Sequence, residues 1–519
     1  MAEGIVPTAA PVAEGRRERT LINLLSSAVA WGWPVLLAFA TTPYLIRVLG
    51  NDAYGIRGLM LTISGYFALL DLGLNGAVAK FVAEYHAGAE TDRMSRLLGT
   101  TLTTYLGMGL TGGVAIWLLA PWLAGSLFTI PDAILPEATW VFRLTGLGFL
   151  LSMLMWWGSA IPTGLQRFDV VNGIGVVYGT VTTLGAVAAV WWGKGLTGVV
   201  WANLLATFLA LGLYGLGCRR LLPGVSLRPG FDAGMFRRTV AFGVYMVGFR
   251  MFALLFTQLD SMLIGTYIGT SALTFYLVPQ QIASVIQQVN GKMMEFVFPM
   301  ASELARKGDA RQLETLVLRG FNLSLFIALS GAVPLAVVAR PLLSSWVSAE
   351  MAERSTTVLL LLTVSFGLSG LTALPSYVLG GLNYPQGLTF GGMVAGVSGL
   401  VAYVLLIGPY GIEGAAAGKA LSVVLTVAFY LALCHWKAPF SLARLGLQAG
   451  RLVIIGLAVG LPAWWFVTPR LAGLPMVVGT MVLIAAVFFL ACWVLGALDP
   501  AEKDTFRALV RRVRGGPAR

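Results

Sequence analysis

Apolar residues run in long blocks along this chain, and the polar stretches between the blocks are short and basic. From residue 21 to residue 497 uncharged runs of spanning length recur, punctuated by Gly, Pro, Lys and Arg. A helix needs about 20 predominantly apolar residues to cross a bilayer core roughly 30 Å thick. The blocks predict fourteen such helices: 21–49, 54–84, 97–123, 137–163, 168–193, 195–219, 239–266, 271–299, 314–338, 354–382, 386–408, 411–434, 447–468 and 474–497. Gly and Pro inside them are tolerated where neighbouring helices satisfy the freed backbone groups. The first block is too long for a signal-peptide core and reads as a retained span. The expected fold class is an all-α polytopic membrane protein.

The pattern also repeats. Leu45-Ile46-Arg47 with Gly50 recurs as Leu263-Ile264-Gly265 with Gly269, and Gly164-Leu165-Gln166 as Gly381-Leu382-Asn383. Gly195-Leu196-Thr197-Gly198 recurs as Gly411-Ile412-Glu413-Gly414, and Cys218 as Cys434, all at offsets near 216–218. A shared offset marks a repeat unit, here of six helices. An even number keeps both copies in one orientation, so the expectation is two lobes related by an axis along the membrane normal, facing a central cavity, as in parallel-repeat transporters. The predicted organisation is a cytoplasmic tail (1–20), an N-lobe (21–219), a cytoplasmic inter-lobe loop (220–238), a C-lobe (239–434), two extra helices (447–497) and a tail (498–519). In that tail Phe506, Leu509, Val510 and Val513 alternate with arginines, the pattern of an amphipathic helix resting on anionic membrane lipids.

Composition narrows the function classes. Of 519 residues 57% are hydrophobic and 11% charged, against about 25% charged in soluble domains, which excludes a water-soluble protein. Of 35 Lys and Arg, 25 fall in segments predicted to be cytoplasmic and 7 opposite, with Arg250, Lys292 and Lys419 inside spans. That bias places both termini in the cytoplasm. It also explains the net charge of +12 without nucleic acid as a partner. Cys218, Cys434 and Cys492 lack disulfide or metal spacing. No phosphate-binding loop occurs, His86 and His435 stand alone in loops, and the connections are too short for a catalytic domain. No enzyme activity and no cofactor are expected. Trp117, Trp122, Trp140, Trp191, Trp192 and Trp346 outside, with Trp156, Trp157 and Trp436 inside, read as interfacial belts, while Trp31 and Trp33 lie deeper.

Ionisable residues within spans carry the candidate chemistry, because a charge at the bilayer centre costs at least about 2.5–3.5 kcal/mol and is kept for a partner or a wet cavity. Arg250 lies about 17 Å into its span at 1.5 Å per residue. With no acid at i±3 or i±4, it projects a guanidinium able to bind phosphate or pairs with an acid on another helix such as Asp71. Lys419 also lacks a partner on its own helix and is a second cavity cation. Lys292 and Glu295, three apart, share a face and neutralise each other or stand in solvent. Arg143 sits near the outer surface, where snorkelling competes with substrate binding. Asp71 suits proton coupling, since a buried carboxylate is neutralised by protonation, or serves as a fixed partner for Arg250 or nearby backbone amides. Asp260, nearer the outer end, reads as a structural acid. Asp71, Glu295 and Asp260 together form the ion-coupling candidate set.

Tyr44-Leu45-Ile46-Arg47-Val48-Leu49-Gly50 with Ala53-Tyr54-Gly55, then Leu70-Asp71-Leu72-Gly73-Leu74, resembles the opening of Wzx-type polysaccharide flippases of the multidrug/oligosaccharidyl-lipid/polysaccharide exporter superfamily. Leu259-Asp260-Ser261-Met262-Leu263-Ile264-Gly265 leading to Tyr276, Gly381-Leu382-Asn383-Tyr384-Pro385, and Tyr410-Gly411-Ile412-Glu413-Gly414-Ala415-Ala416 resemble the same family. The resemblance implies movement of an undecaprenyl-pyrophosphate-linked oligosaccharide repeat unit (O-antigen or exopolysaccharide) from the inner to the outer leaflet of a bacterial cytoplasmic membrane. It further implies alternating access, a basic cavity and ion coupling, and, as partners beside the lipid-linked oligosaccharide, a polysaccharide polymerase and chain-length machinery. Two other functions compete: a multidrug or cation antiporter of the related extrusion branch, and a membrane polysaccharide polymerase or ligase.

Overall fold

A computed structural model describes residues 31–71 and 73–497, with the backbone alone at 242–257. Every regular element among the described residues is helical. The chain divides into two compact units between Gly248 and Phe249.

The first unit is built from α1 (Trp31–Leu49), α2 (Asn51–Phe67), α3 (Leu74–Ala87), α4 (Thr91–Trp122), α5 (Leu135–Gly164), α6 (Phe168–Trp191), α7 (Gly195–Leu221) and the start of α8 (Ala233–Tyr267). The predicted span 54–84 is interrupted. A 3-10 turn, Ala68–Asp71, follows α2, and α3 starts from Gly73 at φ 72°, a left-handed conformation that glycine adopts without strain. Glycine also brings α4 and α5 together. A Cβ on Gly113 would lie 2.7 Å from the Gly146 carbonyl, and one on Gly146 would lie 2.5 Å from that of Gly113. In lipid, where no hydrophobic drive pushes helices together, such small-residue contacts hold them.

The second unit holds the remainder of α8, then α9 (Thr270–Met294), α10 (Val297–Lys307), α11 (Ala310–Trp346), α12 (Ala349–Gly370), α13 (Ala373–Gly381), α14 (Gln386–Lys437), α15 (Leu442–Phe466) and α16 (Leu474–Val494). α14 has two arms that meet at Gly411, whose φ 59° and ψ −134° leave the helical region. Its first arm exposes Phe390, Met393, Val397, Val401 and Val404, a stripe at helical spacing that suits acyl chains as solvent. The last two helices dock on α11: Phe326 stacks on Phe488 at 5.8 Å, and Leu452, Ile455 and Cys492 are buried with them. Side chains cap four helices at their N-termini, among them α8, where Asp232 accepts from the Met235 N–H. Asp309 accepts from the Gln312 N–H, Ser348 from that of Met351 and Ser441 from that of Arg444.

Eleven segments of the described residues are long and apolar enough to cross a membrane. Gln386–Lys437 counts once despite its break, and α8 and α9 are not among the eleven. α9 carries Gln280, Gln281, Gln287, Gln288, Asn290 and Lys292, which lower its hydropathy. Two of the tryptophans assigned to belts, Trp157 and Trp346, are buried at 6% and 5% exposure. Trp157 donates its indole N–H to Thr101 Oγ1 at 3.0 Å, so that side chain is a packing residue.

The repeat has a backbone counterpart. Left-handed φ values recur at Gly50 (82°) and Gly269 (124°), Ala89 (54°) and Gly308 (67°), Gln166 (57°) and Asn383 (57°), and Gly195 (57°) and Gly411 (59°). Each pair spaces the turns as the sequence motifs do, and three of the eight positions carry a side chain that pays for φ > 0 with strain. Buried polar contacts follow the same spacing: Tyr105 donates to Asp71 in the first unit, and Ser324 Oγ donates to Asn290 Oδ1 at 2.8 Å in the second, each pair 34 residues apart.

Candidate functional site

Asp260 and Lys419 form the most buried ion pair among the described residues. Lys419 Nζ on the second arm of α14 lies 2.6 Å from Asp260 Oδ2 on α8, with side chains 2% and 0% exposed. Tyr276 on α9 donates its hydroxyl to the same Oδ2 at 2.7 Å, and the Ser261 N–H donates to Oδ1 at 2.7 Å. The Phe366 ring on α12 presents its face 5.0 Å from the ammonium. Three helices thus satisfy a buried carboxylate, and a fourth supplies an aromatic face to the cation. Lys419, expected as a cavity cation with no partner on its own helix, is held by an acid on a different helix. Its counter-charge lies 159 residues away in sequence, beyond the reach of same-helix spacing. A paired ammonium at 2% exposure does not present free positive charge to a substrate.

In the first unit Asp71 is 3% exposed at the end of the 3-10 turn, and the Tyr105 hydroxyl donates to its Oδ1. Arg143 on α5 lies over the Trp117 ring at 5.8 Å, and Trp117 meets Trp140 edge-on at 5.9 Å. The Arg143 Nε is buried and makes no hydrogen bond among the described residues. Lys292 and Glu295 do pair, at 2.6 Å, with side chains 60% and 53% exposed. The side chain of Arg250 lies outside the described residues, as do the arginines of the C-terminal tail.

Two further surfaces stand out. At the junction of α10 and α11 a groove of about 540 Å³ is lined by Phe296, Met300, Leu304, Lys307 and Arg319. On its rim the hydrogen bond from Lys307 holds the Glu303 carboxyl below the usual carboxylate range. Between α11 and α15 lies an apolar groove of about 420 Å³ lined by Val333, Val337, Val453, Gly456, Gly460 and Trp464. Its lining suits a hydrocarbon chain.

A model of the family described as polysaccharide biosynthesis protein matches residues 44–355. The chain belongs to the polysaccharide biosynthesis protein family. It is 23% identical over 441 residues to the uncharacterized membrane protein EpsK of Bacillus subtilis (strain 168), covering 79% of this chain and 82% of that one. It is 20% identical over 415 residues to the putative O-antigen transporter of Shigella flexneri, covering 78% and 94%. Its fold is that of the lipid II flippase MurJ in an inward closed conformation, at a TM-score of 0.69 and 12% identity over 90% of this chain and 98% of that one. It is also that of an inward-facing multidrug resistance MATE family transporter of the MOP superfamily, at 0.70 and 12% over 79% and 94%. The family, the relatives and the shared fold bear out the resemblance to Wzx-type members of that superfamily.

For this polysaccharide biosynthesis protein the sequence selected Asp260 and Lys419 separately and did not join them. Ser261 and Tyr276 stand in the sequence only as parts of a motif, and no pattern marks Tyr105 or Phe366. One signal was available: an acid and a base buried in different spans of one repeat each need an opposite charge.

Proposed function

We propose that the protein is a flippase for undecaprenyl-pyrophosphate-linked oligosaccharide repeat units, working by alternating access. The observation that carries this reading is the family match over residues 44–355, joined to a fold shared with a lipid II flippase along 90% of the chain. The reading keeps fourteen spans in two six-helix repeats plus two extra helices, both termini in the cytoplasm and an inner-membrane location. Arg250 is the proposed pyrophosphate-binding cation, since an anionic headgroup crossing hydrocarbon needs compensating positive charge. Arg143 is a second candidate cation near the outer surface, beside Trp117. Lys292 is balanced by Glu295 and contributes polarity without net charge. Asp71, with Glu295 and Asp260, is the candidate set for ion coupling. The apolar groove between α11 and α15 suits the polyprenyl tail. Polymerase and chain-length proteins are proposed partners, since a delivered repeat unit must be consumed outside.

The test is deletion followed by analysis of lipid-linked sugars on each leaflet. Accumulation of one lipid-linked repeat unit on the inner side is the expected result, and unchanged delivery to the outer side contradicts the reading. The multidrug antiporter alternative draws on the MATE fold. It predicts proton-driven efflux of a cationic dye from vesicles that is abolished by Asp71→Asn and indifferent to Arg250→Ala.

A further inference from the structure

The Asp260–Lys419 pair has the composition of a receptor for a small ammonium ion. One carboxylate oxygen faces the cation at 2.6 Å, and an aromatic face lies 5.0 Å away. A carboxylate combined with an aromatic face is the recognition chemistry of alkylammonium ions. The carboxylate does not depend on the cation alone for its position. The Tyr276 hydroxyl and the Ser261 N–H both donate to it, so its oxygens remain oriented and hydrogen-bonded when the cation is removed. The pair closes entirely within the second unit, on α8, α9, α12 and α14, and all four side chains, Asp260, Tyr276, Phe366 and Lys419, are buried.

We infer that this cluster is a monovalent-cation site of the small primary ammonium class whose permanent occupant is the chain's own Lys419. Asp260 is then a carboxylate with a tethered counter-ion. It takes up no soluble cation in the native protein, which takes it out of the ion-coupling set. Shortening Lys419 to alanine removes the aliphatic stem and the ammonium together. What remains is an oriented carboxylate beside an aromatic face, with space where the stem lay. The inference stands apart from the substrate proposed above, because it concerns occupancy of a site within one unit.

The experiment is thermal unfolding of the purified full chain in detergent, in ethylammonium chloride, sodium chloride or choline chloride at equal ionic strength. The wild type is expected to unfold at the same midpoint in all three. Lys419→Ala is expected to unfold lower in choline and to shift upward with ethylammonium, saturating as the site fills. In Asp260→Asn/Lys419→Ala that ethylammonium shift is expected to vanish. A Lys419→Ala midpoint identical in ethylammonium and choline overturns the inference, because the carboxylate is then neutralised by a proton and holds no cation. A shift that persists in the double variant overturns it too, since the ion then binds elsewhere, as does a wild-type shift lost in Asp260→Asn. Where Lys419→Ala is too unstable to purify in choline, the yield of folded protein from membranes solubilised in each salt becomes the readout. Recovery in ethylammonium supports the site, and equal loss in both salts overturns it.

Discussion

A charge buried in hydrocarbon is stable only beside its complement, and that rule organises the residue scale of this protein. Removing one member of a buried ion pair leaves the other uncompensated, at a cost of about 3–5 kcal/mol, whereas replacing both is often close to neutral. Asp260→Asn or Lys419→Met alone is therefore expected to lower the unfolding midpoint strongly, and the double variant far less. Unfolding of the three variants in detergent checks this, and additive losses would contradict the pairing. Tyr105→Phe strips a donor from the buried Asp71 carboxylate, with an expected loss of about 1–3 kcal/mol measured the same way. The residues of these clusters were individually legible as unusual, because Asp71, Asp260 and Lys419 interrupt apolar blocks. Their partners were not. A tyrosine or a phenylalanine in a membrane helix looks like ordinary packing, and periodicity reports only which neighbours share a face of one helix.

Among the elements, the sequence located long apolar helices and the turns between them but not the breaks within them. The run through Leu69, Leu70, Leu72 and Leu74 keeps its apolar character across the 3-10 turn after α2, so hydropathy reads straight through a backbone that Gly73 bends. The same holds where α9 gives way to α10 and α12 to α13. The motifs that marked the repeat, by contrast, are turns, and the structure gives them matched left-handed conformations. Gly411 occupies a region that residues with a Cβ avoid, so Gly411→Val is expected to destabilise by about 1–3 kcal/mol. At Gln166 the strain already exists: Gln166→Val is expected to lower the unfolding midpoint and Gln166→Gly to leave it unchanged or raise it. A midpoint insensitive to valine at both positions would contradict the turn assignments.

For the molecule as a whole, orientation and transport are the properties to be tested. The native cysteines are buried, which leaves a quiet background for labelling. With both termini inside, Asp92→Cys, in an exposed first turn of α4, is expected to react only from the cytoplasm, and Glu350→Cys, exposed at the start of α12, only from outside. Labelling of both from one side would contradict the fourteen-span arrangement. Arg250→Ala is expected to slow delivery of the lipid-linked repeat unit about tenfold or more, the loss of roughly 1.4 kcal/mol of stabilisation along the path, at unchanged protein level. The most direct measurement reconstitutes the purified protein in vesicles carrying a fluorescent undecaprenyl-pyrophosphate oligosaccharide in one leaflet and follows its appearance in the other by a membrane-impermeant lectin. Transfer that requires the protein and slows in Arg250→Ala is the predicted result. Vesicles in which the labelled lipid stays put, while a cationic dye is exchanged for protons, would contradict the account.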